Sequence, residues 1–187
     1  MKRPLNETRS KLWRYQSKRK FVRFTRRFEE GFARGYVLDV GEKFFLLALL
    51  GEGMGWNGFS CFRISDVRNL TVDPYAAFAE AALKKLGEKI PKKPKVSLVS
   101  TEEILNSADR LFPLITIHRE HFDPDVCWIG QVYRIEDGEV CFWEIGPDAK
   151  WDRKPTFYKL REITAIEFGG SYEAALYLVG GNSERPE

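Results

Sequence analysis

From Lys20 the apolar residues fall at every second position. Val22, Phe24 and Phe28 lie on one side of an extended chain, with Arg26 interrupting, and Phe21, Arg23, Thr25 and Arg27 lie on the other. The pattern predicts a strand with a basic outer face. After a turn at Glu29-Glu30-Gly31, further strand-like runs cover 33–40, 44–50, 58–64 and 70–72. They are separated by the tight hairpin signal Val40-Gly41-Glu42 and the looser Gly51-Glu52-Gly53-Met54-Gly55. The run 44–50 is apolar on both faces and therefore needs cover from two sides. Asp73-Pro74 opens a helix whose stripe is Tyr75, Ala79, Ala82, Leu83 and Leu86 and whose stop is Gly87. That helix is the expected cover.

The stretch EKIPKKPK that follows, with two prolines and four lysines, predicts an extended, solvated linker, and 96–99 a short strand. Ser100-Thr101-Glu102-Glu103 is a capping box that starts a helix to about Leu111, with Ile104, Ala108 and Leu111 inward. Beyond it the first pattern returns. Ile115-Thr116-Ile117-His118-Arg119 matches Val22-Arg23-Phe24-Thr25-Arg26, and Gly130 matches Gly35. Val132 then matches Val37, Phe142 matches Leu46, Tyr158 matches Phe62, and Glu162 and Ile163 match Asp66 and Val67. Residues 35–72 and 130–168 thus read as two copies of one block, each closed by a helix, the second at 171–179.

Each block holds four or five short strands with tight turns, which bury their inner face by curling on themselves. The fold class expected is mainly β with flanking α: two tandem Sm-like/SH3-like small barrels with capping helices. The organisation expected is a basic N-terminal arm at 1–19, a first unit with its helix at 20–87, a linker at 88–99, a second unit with its leading helix at 100–180, and a polar, disordered tail at 181–187. The arm shows no clean period and is expected to be irregular or to hold a helical turn, with Leu5, Trp13 and Tyr15 pinning part of it down.

The runs GYVLDV, FFLLALL and FSCFRISDV, followed by FPLITIHRE and DPDVCWIG, resemble a bacterial group of tandem Sm-like proteins of unassigned function. The resemblance spans most of residues 20–179 and implies RNA binding, often in rings, as the class habit. Sm-type uridine sites use an Asp and an Asn between the second and third strands and an Arg-Gly-Asp/Asn near the fifth. Here those places read Asp39-Val40-Gly41-Glu42-Lys43 and Arg63-Ile64-Ser65-Asp66, then Arg134-Ile135-Glu136-Asp137-Gly138 and Lys159-Leu160-Arg161-Glu162. Neither copy carries the Asn or the Gly, so the resemblance does not bring the ring-type pocket with it.

Composition narrows the class. A hydrophobic content of 43% with 14% aromatic residues argues for a folded chain. No apolar run reaches the roughly 18 residues of a membrane span. The charged start is not followed by the apolar segment of a secretory signal, so cytoplasmic residence without a membrane partner is expected. Cys61, Cys127 and Cys141 have unrelated spacings and are expected to be reduced, and no cofactor is expected.

The net charge of +3 hides an asymmetry: residues 1–35 carry twelve Lys or Arg against three Glu, and the remainder eighteen against twenty-four acids. In this basic segment Arg14, Lys18, Arg19, Lys20, Arg23 and Arg27 alternate with rings, which puts cations for phosphates beside platforms for bases. RNA or DNA is the partner this suggests, and the plain alternative is a solvated strand face. A protein partner or self-association through a sheet edge or through Trp56, Trp128, Trp143 and Trp151, read as surface aromatics, is the rival.

Arg26 and Arg119, at matching inward positions, are expected to pair with Asp66 and Glu162. His118, His121, Asp123 and Cys127 belong to the richest cluster of metal-ligand types, the basis for a third reading as a metal-dependent enzyme. Two histidines three apart on a strand face opposite ways, which weighs against it.

Overall fold

The computed structural model describes residues 5–28 and 31–183. The expectations for residues 1–4, for Glu29 and Glu30 and for the last four residues of the tail fall outside these. The chain divides into two compact units, Met1–Pro94 and Lys95–Glu187. The fold is mainly β.

In the first unit, helix α1 (Leu5–Ser17) precedes β1 (Phe21–Arg26), β2 (Phe32–Val40), β3 (Phe44–Leu50) and β4 (Trp56–Arg63). A single 3-10 turn, Ile64–Asp66, leads into β5 (Val67–Val72), and α2 (Ala76–Lys85) follows. The strands are antiparallel in the order β5-β1-β2-β3-β4. In the second unit α3 (Thr101–Asp109) precedes β6 (Ile115–His118), β7 (Cys127–Glu136), β8 (Glu139–Glu144) and β9 (Thr156–Lys159). The turn Leu160–Glu162, β10 (Ala165–Phe168) and α4 (Ser171–Gly180) complete it. The order is β10-β6-β7-β8-β9, again antiparallel.

Neither unit is a closed barrel, which corrects the expectation from sequence. Closure needs the outermost strands to pair with each other, and within each unit the described residues show no ladder from β5 to β4 or from β10 to β9. In the first unit α1 supplies cover instead. Its Leu12 is fully buried, Lys11 Nζ donates to the Leu70 carbonyl of β5 at 3.1 Å, and Gln16 Nε2 donates to the Leu38 carbonyl of β2 at 2.8 Å. From Leu5 to Ser17 the arm is therefore a helix of three full turns, where sequence predicted irregular chain or a single helical turn. A weak apolar period hid it, because one leucine and two long polar side chains do the anchoring.

The first core has two faces. Val22 and Phe24 of β1 are buried inside, where the Phe24 ring packs edge-on against Phe45 and Phe62 at 5.3 and 5.4 Å. On the other side, Phe21, Tyr36 and Leu50 are covered by Ala79 and Leu83 of α2. This is the double cover that the apolar run of β3 required. Tyr75 and Leu86, expected in the buried stripe, are 66% and 62% exposed. The helix starts later than Asp73-Pro74 suggests, because the Asp73 carboxylate accepts the Tyr75 N–H at 2.7 Å and holds a turn there. At its other end Gly87 takes φ 75°. The N–H groups of Gly87 and Glu88 return to the carbonyls of Lys84 and Leu83, a Schellman stop.

In the second unit Ser100 accepts the Glu103 N–H at 3.1 Å, as the capping box predicts, and Ile104, Leu105 and Ala108 are fully buried, while Leu111 is outside α3 and half-exposed. Residues 96–99 form no strand, although Val96 and Leu98 are buried. Part of the expected disordered tail is pinned, with Ser183 Oγ bonded to Gln131 Oε1 at 2.9 Å.

The two units share local devices. A bulge falls between Val37 and Asp39 in one and between Val132 and Arg134 in the other. A Cβ on Gly35 would lie 1.9 Å from the Ala48 carbonyl oxygen, and one on Gly130 would lie 1.9 Å from that of Trp143. Only glycine admits so close a neighbouring strand. The ladders set Val37 opposite Leu47 and Val132 opposite Phe142, so Trp143 stands where the first unit has Ala48, one place from the sequence match. Trp143 is also buried, its indole N–H donating to the Asp152 carbonyl at 2.7 Å, rather than a surface ring. Among the described residues no helix is long and apolar enough to cross a membrane.

Candidate nucleic-acid interface

The β1–β2 hairpin sets Arg23 directly opposite Arg34 and Thr25 opposite Phe32. On the other flank of β1, Arg23 stands opposite Thr71 and Thr25 opposite Arg68 of β5. Directly opposed residues of an antiparallel ladder share a face. Val22, Phe24 and Arg26 take the buried face, so Arg23, Arg34 and Arg68 gather on the other one with Phe32. Helix α2 covers the far end of that face over Phe21 and Tyr36 and leaves this end open.

The arginines have little to hold them. Arg23 lies 5.0 Å over the Phe32 ring, itself 52% exposed. Arg34 reaches the Met54 sulfur at 3.9 Å, a weak acceptor, and Arg68 folds back to the carbonyls of Ser65 and Val67 at 3.1 and 2.8 Å. Among the described residues none of the three pairs with a carboxylate. Two like charges set opposite each other in a ladder destabilise it, and an anion laid across them reverses the sign of that term.

The cations just before β1 are displayed by the turn that leaves α1. Lys18 N–H bonds to the Arg14 carbonyl at 3.2 Å and Lys20 N–H to that of Tyr15 at 2.9 Å, with Arg19 at φ 46° between them. Lys18, Arg19 and Lys20 are all exposed, and Arg14 sits 5.8 Å over the Tyr15 ring. Arg27, grouped with these from sequence, is held at 3.0 Å by the buried carboxylate of Asp66 and stacks over Phe28 at 4.8 Å. Arg34, Arg68 and Phe32 were missed by reading along the chain. The turn read from sequence at 29–31 does not set Arg23 against Arg34, and only the observed ladder brings the two together.

The matched inward arginines lie over aromatic rings in both units. Arg119 meets Glu162 at 2.5 Å, and its guanidinium lies 5.0, 5.3 and 4.9 Å from the rings of Phe122, Trp128 and Tyr158. Asp66 meets Arg27 at 3.0 Å, and Arg26 lies 4.8 Å over Phe62, the counterpart of Tyr158.

The histidine segment does not gather. β6 ends at His118, and His121 and Asp123 sit in the turn beyond it. His118 Nε2 is 3.5 Å from Glu167 and its Nδ1 4.0 Å from Glu120, which accepts a short hydrogen bond from Thr164 Oγ1. Cys127 stands opposite His118 in the ladder. Desolvation, and after it the carboxylates of Glu167 and Glu173, hold its thiol above the ordinary pKa, which disfavours the thiolate a nucleophile or ligand needs. Among the described residues no group of three or more His, Cys, Asp or Glu could hold a metal ion.

The chain matches no family model, no curated protein and no solved structure with which it was compared. The reading of the basic face therefore stands on its own geometry.

Proposed function

We propose that the first unit binds single-stranded nucleic acid, RNA foremost, across the open end of its β2-β1-β5 face. The observation that carries this reading is the Arg23–Arg34 cross-strand pair, two cations opposed with no described carboxylate between them. Phe32 supplies a ring beside them, and Arg14, Lys18, Arg19 and Lys20 extend the positive surface. The scaffold on which this rests is a tandem of Sm-like units. The common strand order, the bulges at like positions and the two glycines beneath a neighbouring carbonyl support descent from one duplicated block. The protein acts in the cytoplasm by binding.

About six phosphate contacts on a single strand give a log–log salt slope of about −4. Titration of a fluorescent single-stranded oligonucleotide at stepped salt concentrations measures it. A slope near zero, or no binding at low salt, rejects the proposal.

A second reading, a protein-interaction adaptor, draws on the end of α4, where Leu178 and Val179 are 85% and 76% exposed. Pull-down before and after nuclease treatment separates the two, since a protein captured equally in both favours the adaptor.

A further inference from the structure

An open groove of about 780 Å³ runs between α1 and the β2–β3 turn, walled by Arg9, Ser10 and Trp13 on the helix and by Val40, Gly41 and Glu42 on the turn. Its size falls within the ~300–1,000 Å³ usual for small-ligand sites. Three features set it apart from plain surface. Trp13 is 56% exposed although its neighbour Leu12 is fully buried, so the fold anchors the helix and leaves the indole ring out. Arg9 and Glu42 stand on opposite walls and form no ion pair: Arg9 Nη2 bonds to Asn6 Oδ1 at 3.2 Å, and no described cation takes Glu42. The groove thus offers a π-face, a guanidinium and a carboxylate that no described cation takes, within one concavity.

We infer that this groove holds one nucleobase of the strand bound by the first unit, and that the base is guanine. The inference rests on the nucleic-acid reading of that unit and adds a base preference to it. The base stacks on Trp13, as unpaired bases stack on aromatic side chains. Arg9 neutralises an adjoining phosphate. Glu42 reads the Watson–Crick edge, and there the chemistry discriminates. A carboxylate only accepts, with two oxygens side by side. Guanine alone offers two adjacent donors on that edge, N1–H and the exocyclic N2–H. Adenine and cytosine each set an acceptor beside their amine, and uracil flanks its single N–H with carbonyl oxygens, so each of these turns a lone pair toward Glu42.

The test compares a short all-uridine oligonucleotide with the same strand carrying one guanosine, by fluorescence anisotropy at low salt. The wild-type protein is expected to bind the guanosine strand about tenfold more tightly, a moderate value for a bidentate base contact. Glu42→Gln, which leaves one acceptor, is expected to remove that preference without weakening the all-uridine strand. Trp13→Ala is expected to cost about tenfold on the guanosine strand and Trp13→Phe much less. Circular dichroism of the variants confirms that these exposed positions leave the fold intact. Equal affinity for the two strands, or a preference that survives Glu42→Gln, overturns the inference. The interface reading then still stands if both strands bind and Arg23→Gln weakens both alike. Failure of both strands to bind overturns the two together.

Discussion

Replacing Arg34 by Glu should make the protein more stable and a poorer nucleic-acid binder at once. Arg34 is directly opposite Arg23, and Arg23 has only the Phe32 ring, 5.0 Å away, beneath it. Like charges opposed in a ladder cost a few tenths to about 1 kcal/mol, and an opposite pair returns a similar amount. Reversing one sign therefore gains about 1 kcal/mol at low ionic strength, where half-exposed charges are least screened. For a unit of this size that raises the Tm by about 4–8 °C. Arg34→Gln, which only deletes the repulsion, should gain about half as much. On the binding side, each phosphate no longer neutralised flattens the salt slope by about 0.7, and the Glu variant additionally repels the strand. Thermal unfolding at low and high salt, paired with oligonucleotide titration, measures both effects. A Tm that falls in Arg34→Glu would falsify the view that the two arginines repel in the free protein. A Tm that rises with unchanged binding would detach this face from the nucleic acid.

Other consequences of the structure can be checked by denaturation. Gly130→Ala pushes a methyl group to 1.9 Å from the Trp143 carbonyl oxygen and should cost about 3 kcal/mol in a urea melt, so an unchanged midpoint would contradict the close approach. Glu162→Ala leaves Arg119 among three rings without its carboxylate. Because the pair is partly open to solvent the expected loss is about 2 kcal/mol, mostly recovered in the double variant with Arg119→Met. The Tyr36 and Tyr158 phenols are held above their ordinary pKa of 10.0 by burial and by bonds to Glu80 and Glu144. A group whose pKa is raised on folding gives its full stability below the unfolded value and loses it above. Stability should thus fall as pH rises beyond about 10, less steeply in Tyr36→Phe and Tyr158→Phe, and equal slopes in wild type and variants would refute this.

Much of the strand pattern was legible because burial imposes a period of two. Val22 and Phe24 on one face and the doubly apolar β3 could be placed from residue type alone. What was not legible depended on contacts distant in sequence. Helix α1 owes its place to Leu12, Lys11 and Gln16 meeting β5 and β2, which no local period reports. The contact of Asp66 with Arg27 was not foreseen, because the strand ends at Arg26 and the chain then turns, bringing the next guanidinium round. The one-residue shift of Trp143 has the same origin: matching by residue type sets Phe142 on Leu46, whereas the ladders, bulged at the same place in both units, set Cys141 there. Of the candidate interface, the cations along one stretch were visible, whereas Arg34 and Arg68 reach it only through pairing across the sheet.

The burial of Leu12 changes what the basic arm is in kinetic and entropic terms. A loose cationic tail gropes for its ligand over a wide capture radius and then pays for its own ordering on binding. A helix already docked by a core leucine has met that cost during folding. Arg9, Trp13 and Arg14 are thus presented at fixed spacing before any strand arrives. Association should then involve little coupled folding and a correspondingly small heat-capacity change. Removing the first nineteen residues would take out part of the core along with the charge.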